Sequence, residues 1–257
     1  MRISVLASSS RGNASVISAG DTTIMVDAGI SAARICSGLI DCGLHLNSVQ
    51  GIFITHEHVD HVRGLGVLAK KRAGLPLLGS RYLRQDICAQ APDAAVTYVE
   101  PGCSIRIGDI TVTPFSVNHD AVDPLGYVFE HAGTRLAYVT DTGHVSKSME
   151  SILQGVDALY VESNYDEEML YASGRPRDLI RRIEGRWGHL SNAQACDLVR
   201  LLAHPGLKHI ILAHISPECN TPALATSAMQ KTLTELQLPS AVLHTALQTA
   251  RLPWIEL

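Results

Sequence analysis

Apolar positions along the chain follow two periods. Short apolar runs at Ile3–Ala7, Thr22–Asp27, Gly51–Thr55, Ile110–Val117, Gly126–Glu130 and Leu136–Thr140, mostly bounded by Gly, Pro, Asp or Asn, predict strands. Helical spacing of apolar residues predicts helices over Ser31–Cys42, Val62–Ala73, Arg81–Gln90, Ser146–Leu153, Arg177–Gly185 and Ser191–Ala203, several headed by a Ser or Asp cap. No repeat, low-complexity tract or polar linker divides these segments, so residues 1–257 are expected to share one core. The expected class is α/β, with sheets between helical layers.

A hydrophobic fraction of 46% over 257 residues is ample for such a core. The opening Met1–Ala7 is too short for a signal peptide, and no later apolar run approaches the roughly 20 residues of a membrane helix. A soluble cytoplasmic protein is expected, with no membrane and no obligate protein partner. Cys36, Cys42, Cys88, Cys103, Cys196 and Cys219 form no C-x-x-C pair, which favours reduced thiols and excludes a thiolate zinc cluster. A net charge of −4 argues against coating nucleic acid through bulk positive charge. It leaves room for a local basic patch, and Arg175, Arg177, Arg181, Arg182 and Arg186 supply one, diluted by Asp178 and Glu184. Alone, such a run reads first as a solvated helix face.

The apolar strand Ile52-Phe53-Ile54-Thr55 leads directly into His56-Glu57-His58-Val59-Asp60-His61. Residues two apart on extended backbone project to the same side, so His56 and His58 can grip one ion while Asp60 and His61, turning into a helix, face a second. Three imidazoles and a carboxylate packed so closely have few other partners than each other, which makes a core-packing role a poor explanation.

This H-x-H-x-D-H run resembles the signature of the metallo-β-lactamase superfamily, whose fold is an αββα sandwich of two central sheets flanked by helices. Three later residues match in order: His119 in Val117-Asn118-His119-Asp120, Asp141 in Thr140-Asp141-Thr142-Gly143, and His214 in Leu212-Ala213-His214. The resemblance implies one metal site of His56, His58, His119 and Asp141, and another of Asp60, His61, Asp141 and His214. Asp27 matches an aspartate that supports the ligand loop from behind. Glu162 and the segment Gly188-His189-Leu190-Ser191-Asn192 resemble the pair that flanks the scissile phosphate in RNase Z-type phosphodiesterases. Asp60, His189 and Glu162 are therefore the expected catalytic residues. Ser8–Asn13 is either an ordinary turn or an anion-binding loop; Ser9, Asn13, Arg175, Arg177 and Ser191 are the expected phosphate contacts.

Taken with Ser8–Asn13, Asp27-Ala28-Gly29-Ile30, Glu162-Ser163-Asn164-Tyr165 and Leu212-Ala213-His214-Ile215-Ser216, these motifs resemble the YycJ/WalJ family over nearly the whole chain. That resemblance implies a 5′→3′ exonuclease acting on DNA, with a hydroxide shared between two divalent ions as nucleophile. Ligands without sulfur suit zinc or manganese and also admit iron. The alternatives are a small-molecule phosphodiesterase opening cyclic ribose phosphates, a thioester or lactam hydrolase, and a non-catalytic metal-binding module.

Overall fold

Alternation within the strands explains how two sheets come to face each other. In the computed structural model, which describes residues 1–83, 87, 89–92 and 94–257, the first sheet runs in the order β14 (Ile255–Glu256), β1 (Arg2–Ala7), β2 (Ala14–Ala19), β3 (Thr22–Val26), β4 (Gly51–Phe53), β5 (Pro76–Gly79) and β6 (Ala95–Tyr98). The second runs β13 (Val242–Thr245), β12 (His209–Ala213), β11 (Ala158–Glu162), β10 (Thr134–Val139), β9 (Leu125–His131), β8 (Ile110–Ser116) and β7 (Ile105–Ile107). One parity of each strand fills the layer between the sheets: Ile24 and Val26 of β3, Leu136 and Tyr138 of β10, Ala158 and Tyr160 of β11. The other parity faces outward against helices.

On the first sheet's outer face, Met25 and Ile52 cluster with Ile35 and Leu39 of α1 (Ala32–Asp41) and Leu65 and Leu68 of a short helix at Leu65–Lys71. On the second, Val139, Leu159 and Leu212 cluster with Met149 of the Lys147–Leu153 helix, Leu198 of the Asn192–Leu202 helix and Met229 of the Pro222–Glu235 helix. The layers are helix, sheet, sheet, helix. No described helix is long and apolar enough to cross a membrane.

The helix expected over Val62–Ala73 is two pieces, Val59–Val62 and Leu65–Lys71. They part at Gly64, whose N–H donates to the Ala28 carbonyl at 2.7 Å and where a side chain would strike the Ala28 and Ile30 carbonyls. The earlier start puts Asp60 and His61 in a first turn. Of the helix expected over Arg81–Gln90, the described part opens as a 3₁₀ turn at Arg81–Leu83; Arg84–Asp86 and Cys88 lie outside the described residues. Segments 177–185 and 191–203 form helices at Arg177–Glu184 and Asn192–Leu202, the latter capped by Ser191.

Strand ends on one edge of the sandwich carry the chemistry. β3 pairs in parallel with β4, and β10, β11 and β12 pair in parallel with one another. Asp27 therefore follows β3, Thr55 and His56 follow β4, and Asp141, Glu162 and His214 stand at the ends of three neighbouring strands. Asp27, Asp141 and His214 have left-handed backbones, φ of 59°, 49° and 49°. Non-glycine residues seldom adopt this conformation, and when they do it is commonly at a functional site.

Candidate metal centre

Asp27 organises the first half of the centre. It is fully buried, and its carboxylate accepts from the Thr55 N–H at 2.9 Å, the Thr55 hydroxyl at 2.9 Å and His61 Nδ1 at 2.7 Å. Burial raises the Asp27 carboxyl above its ordinary range, against the opposing pull of His61. Because His61 Nδ1 donates to Asp27, the ring presents Nε2 to the cleft, which is how an outer carboxylate sets a ligand tautomer. Thr55 also lies 3.1 Å from His56 Nδ1. The Asp60 backbone is held just as closely: its carbonyl accepts from Asn13 N–H at 2.8 Å, and a side chain at Gly29 would collide with that carbonyl.

The second half comes from the other sheet. His61 Nε2 is 3.2 Å from Asp141 Oδ2, and His214 Nε2 is 3.4 Å from Asp60 Oδ2. His119 Nε2 lies 3.3 Å from His58 Nδ1, while His119 Nδ1 donates to the Gly188 carbonyl at 3.0 Å. Ligand atoms converge within 4.8 Å of one another in four overlapping groups: His56, His58 and His119; His56, His61 and Asp141; Asp60, His61 and His214; and Asp141, Glu162, His189 and His214. All seven residues that sequence resemblance named as ligands are thus brought together, with Asp141 between the two sides.

These residues fit a divalent metal. His56 Nε2 is buried without any hydrogen-bond partner among the described residues. A buried ring nitrogen left without a partner is costly, and coordination satisfies it. Burial, reinforced by neighbouring His61, holds the His56 pKa well below its usual value, so the ring is neutral and able to ligate. Burial also opposes charge on His214, yet Asp141, Asp60 and Glu162 outweigh it and push that imidazole up to about 10. His61 is likewise raised, against burial, by Asp141 and Asp27. The carboxylates that balance these imidazolium charges are those that metal ions would neutralise instead.

A different pair flanks the cluster. Glu162, fully buried at the end of β11, accepts from His189 Nδ1 at 2.9 Å and from the Thr142 N–H at 2.6 Å. Burial works against its charge, but His189 holds its pKa below the ordinary range. The His189 ring stands 5.0 Å from the His119 ring and 5.2 Å from the His214 ring. His189, Arg175, Arg182 and Asp120 line a cleft of about 230 Å³ together with His58, His119, Asp141 and His214.

Several expected phosphate contacts lie elsewhere. Asn13 is buried, donating to the Ser9 carbonyl at 3.1 Å and lying 3.2 Å from His61 Nε2, so it braces the loop and the ligand. Ser9 is buried too, with its hydroxyl on Gln248. Ser191 is the helix cap, accepting from Gln194 N–H at 3.2 Å. Arg177 begins its helix in solvent and does not line the cleft. Of that group only Arg175 lines it, beside Arg182 and Ser10. Sequence reasoning missed Thr55, Ser10, Asp120 and Asn164, whose amide contacts the His214 ring at 3.0 Å. Ser10 stood in the loop read as a possible anion-binding one, and Asp120 and Asn164 stood in quoted motifs; Thr55 carried no signal of its own, being one more residue of an apolar strand.

Residues 22–215 match the family model of the beta-lactamase superfamily domain. The exodeoxyribonuclease YycJ of Bacillus anthracis is 36% identical over 238 residues, covering 91% of this chain and 90% of the relative. The chain belongs to the YycJ/WalJ family. Another member, the exodeoxyribonuclease WalJ of Streptococcus pneumoniae, is 34% identical over 243 residues, covering 92% of this chain and 90% of its own. Among solved structures, the metallo-beta-lactamase fold protein YhfI of Bacillus subtilis superposes with a TM-score of 0.73 at 15% identity over 98% of both chains. The short form of human tRNase Z does so at 0.65 and 16% identity, over 84% of this chain and 93% of that one. These two likenesses concern the fold. Within the YycJ/WalJ family the chain is a metallo-β-lactamase-fold hydrolase with clusters suited to a divalent metal.

Proposed function

We propose that this chain, as one domain over residues 1–257, is a two-metal phosphodiesterase that removes nucleotides from DNA in the 5′→3′ direction. One metal is held by His56, His58, His119 and Asp141, the other by Asp60, His61, Asp141 and His214. When bound, the pair supplies a water nucleophile of lowered pKa and neutralises charge on the phosphate. The ligand chemistry suits zinc or manganese.

The observation that carries this reading is the Glu162–His189 pair. Buried Glu162 fixes His189 with Nδ1 donating, beside Asp141 and His214, with which the pair converges. An imidazole so placed can give a proton from Nε2 to the departing sugar oxygen and be stabilised as imidazolium by Glu162. Asp60, ligand and neighbour of His214, orients that side of the cluster. Arg175 and Arg182 at the cleft add guanidinium groups suited to phosphate. A thioester or lactam substrate leaves the pair without a role; Arg175 and Arg182 also pair with Glu218 and Asp120. The modest net charge of −4 favours a small cyclic phosphodiester as the second reading.

Incubation of metal-loaded protein with 5′- and 3′-end-labelled DNA, beside cyclic ribose phosphates and bis-aryl phosphates, separates these. Stepwise shortening from the 5′ end, abolished by chelator, is expected; hydrolysis of the cyclic phosphate with DNA left intact would overturn the nuclease reading.

A further inference from the structure

Three segments that carry candidate site residues also expose large apolar side chains. Val59 follows His58 and is 61% exposed, Val122 lies just beyond His119, and Trp187 lies just before Gly188-His189 and is 55% exposed. The segments are tied together: Val122 N–H donates to Glu57 at 2.9 Å, and Asp120 N–H donates to the Trp187 carbonyl at 2.9 Å. Asp120 itself lines the cleft. The Trp187 indole is thus an exposed aromatic side chain on a fixed backbone, its residue next in sequence to the cleft-lining Gly188 and His189 and bonded through its carbonyl to cleft-lining Asp120.

An exposed indole at such a place is unsatisfied by the fold. The other tryptophan, Trp254, is partly buried against the first sheet's outer cluster and covered by Arg2, whose Cζ is 4.3 Å from its ring centroid. Trp187 has instead Arg186, 6.0 Å away, and the basic helix Arg177–Glu184 just upstream. Aromatic faces flanked by guanidinium groups receive nucleobases of unpaired strands, since every base has a π-face and each linkage a negative charge.

We propose that Trp187 is a base-stacking platform at the cleft mouth, holding a nucleobase of a single-stranded or frayed end while the adjoining phosphate lies over the metal ligands. This rests on the nucleic-acid reading above. It makes Trp187 a specificity residue for unpaired strands.

In a Trp254→Phe background Trp187 is the only tryptophan, and its emission reports its own contacts. Metal-loaded protein of this background is titrated with phosphorothioate octathymidylate, which resists hydrolysis, and with an abasic octamer of the same charge. Saturable quenching by the thymidylate, at least about 5-fold weaker with the abasic strand, is expected, since removing one base–aromatic stack weakens binding by about 5- to 100-fold. Trp187→Ala should weaken binding of the thymidylate by a similar factor and Trp187→Phe should restore most of it, with bound metal by elemental analysis the same in both. Equal quenching by the two strands, no quenching, or unaltered binding by Trp187→Ala overturns the platform. Failure of the nuclease reading appears separately, as base-dependent quenching without cleavage of ordinary DNA.

Discussion

The two sheets contribute to the metal centre in opposite ways. The first sheet delivers four candidate ligands from one stretch of six residues, His56–His61, backed by a single buried carboxylate, Asp27, and by Thr55. The second delivers Asp141, Glu162 and His214 one by one, from the ends of β10, β11 and β12, where parallel pairing sets Val139 beside Val161 and Glu162 beside Ala213. A local cluster survives small shifts of its strand because its members move together. A dispersed one depends on sheet register and on the left-handed backbones of Asp141 and His214. The dispersed half should be the more sensitive to single changes, and Asp141, which bridges both halves, the most sensitive of all.

Asp141→Ala breaks that bridge. We expect activity to fall by more than the 10- to 100-fold typical of changes behind the ligands, with less than a full complement of metal by elemental analysis. Unchanged metal content would show that the two halves hold their ions independently.

His189→Ala tests the part of the second half that binds no metal in this account. Loss of a positioned proton donor costs about 10²- to 10⁴-fold in rate, and metal content should stay that of the wild type. Because the group acts on the leaving oxygen, a substrate with an aryl leaving group of low pKa should lose far less; equal losses on both substrates would count against proton donation.

Asp27→Ala probes the scaffold of the first half. It should weaken metal binding by about 10- to 100-fold and leave the fold intact, since the outer-face and inter-sheet cores make no use of that carboxylate. A chelator competition titration beside a thermal melt separates the two effects.

The smallest effect sharpens the electrostatic side of the comparison. Without metal, His214 is protonated at pH 8, because Asp141, Asp60 and Glu162 push its pKa up to about 10, and Asp141 and Asp27 raise His61 above its ordinary value. Coordination requires both rings neutral, so metal uptake should release at least the His214 proton at pH 8. Affinity therefore rises with pH through the neutral range. Calorimetry in buffers of different ionisation enthalpy measures the proton count directly; no release would mean the ligands are neutral beforehand.

What could be read from the chain divides along the same line. The His56–His61 run is legible because chemistry and sequence adjacency coincide, and the strands flanking it show plain apolar runs. Asp141, Glu162, His189 and His214 carry no local pattern that marks them; only resemblance to known motifs picked them out, and the parallel register then brings them together. The phosphate contacts were the least legible. Ser9, Asn13 and Ser191 have polar side chains that the fold consumes in a loop brace and a helix cap, and no spacing rule distinguishes a hydroxyl spent on backbone from one offered to a ligand. The break at Gly64 was hidden for a similar reason: helical spacing of apolar residues continues across it, while the backbone contact with Ala28 that interrupts the helix comes from a distant segment.

The most direct test of the two-metal account is a titration of metal-free protein with manganese or zinc, following bound metal and the shortening of 5′-labelled DNA together. The account predicts that cleavage appears as a second equivalent binds and that Asp60→Ala stops below two equivalents without cleaving. Full cleavage at one equivalent, or in the presence of excess chelator, would contradict it.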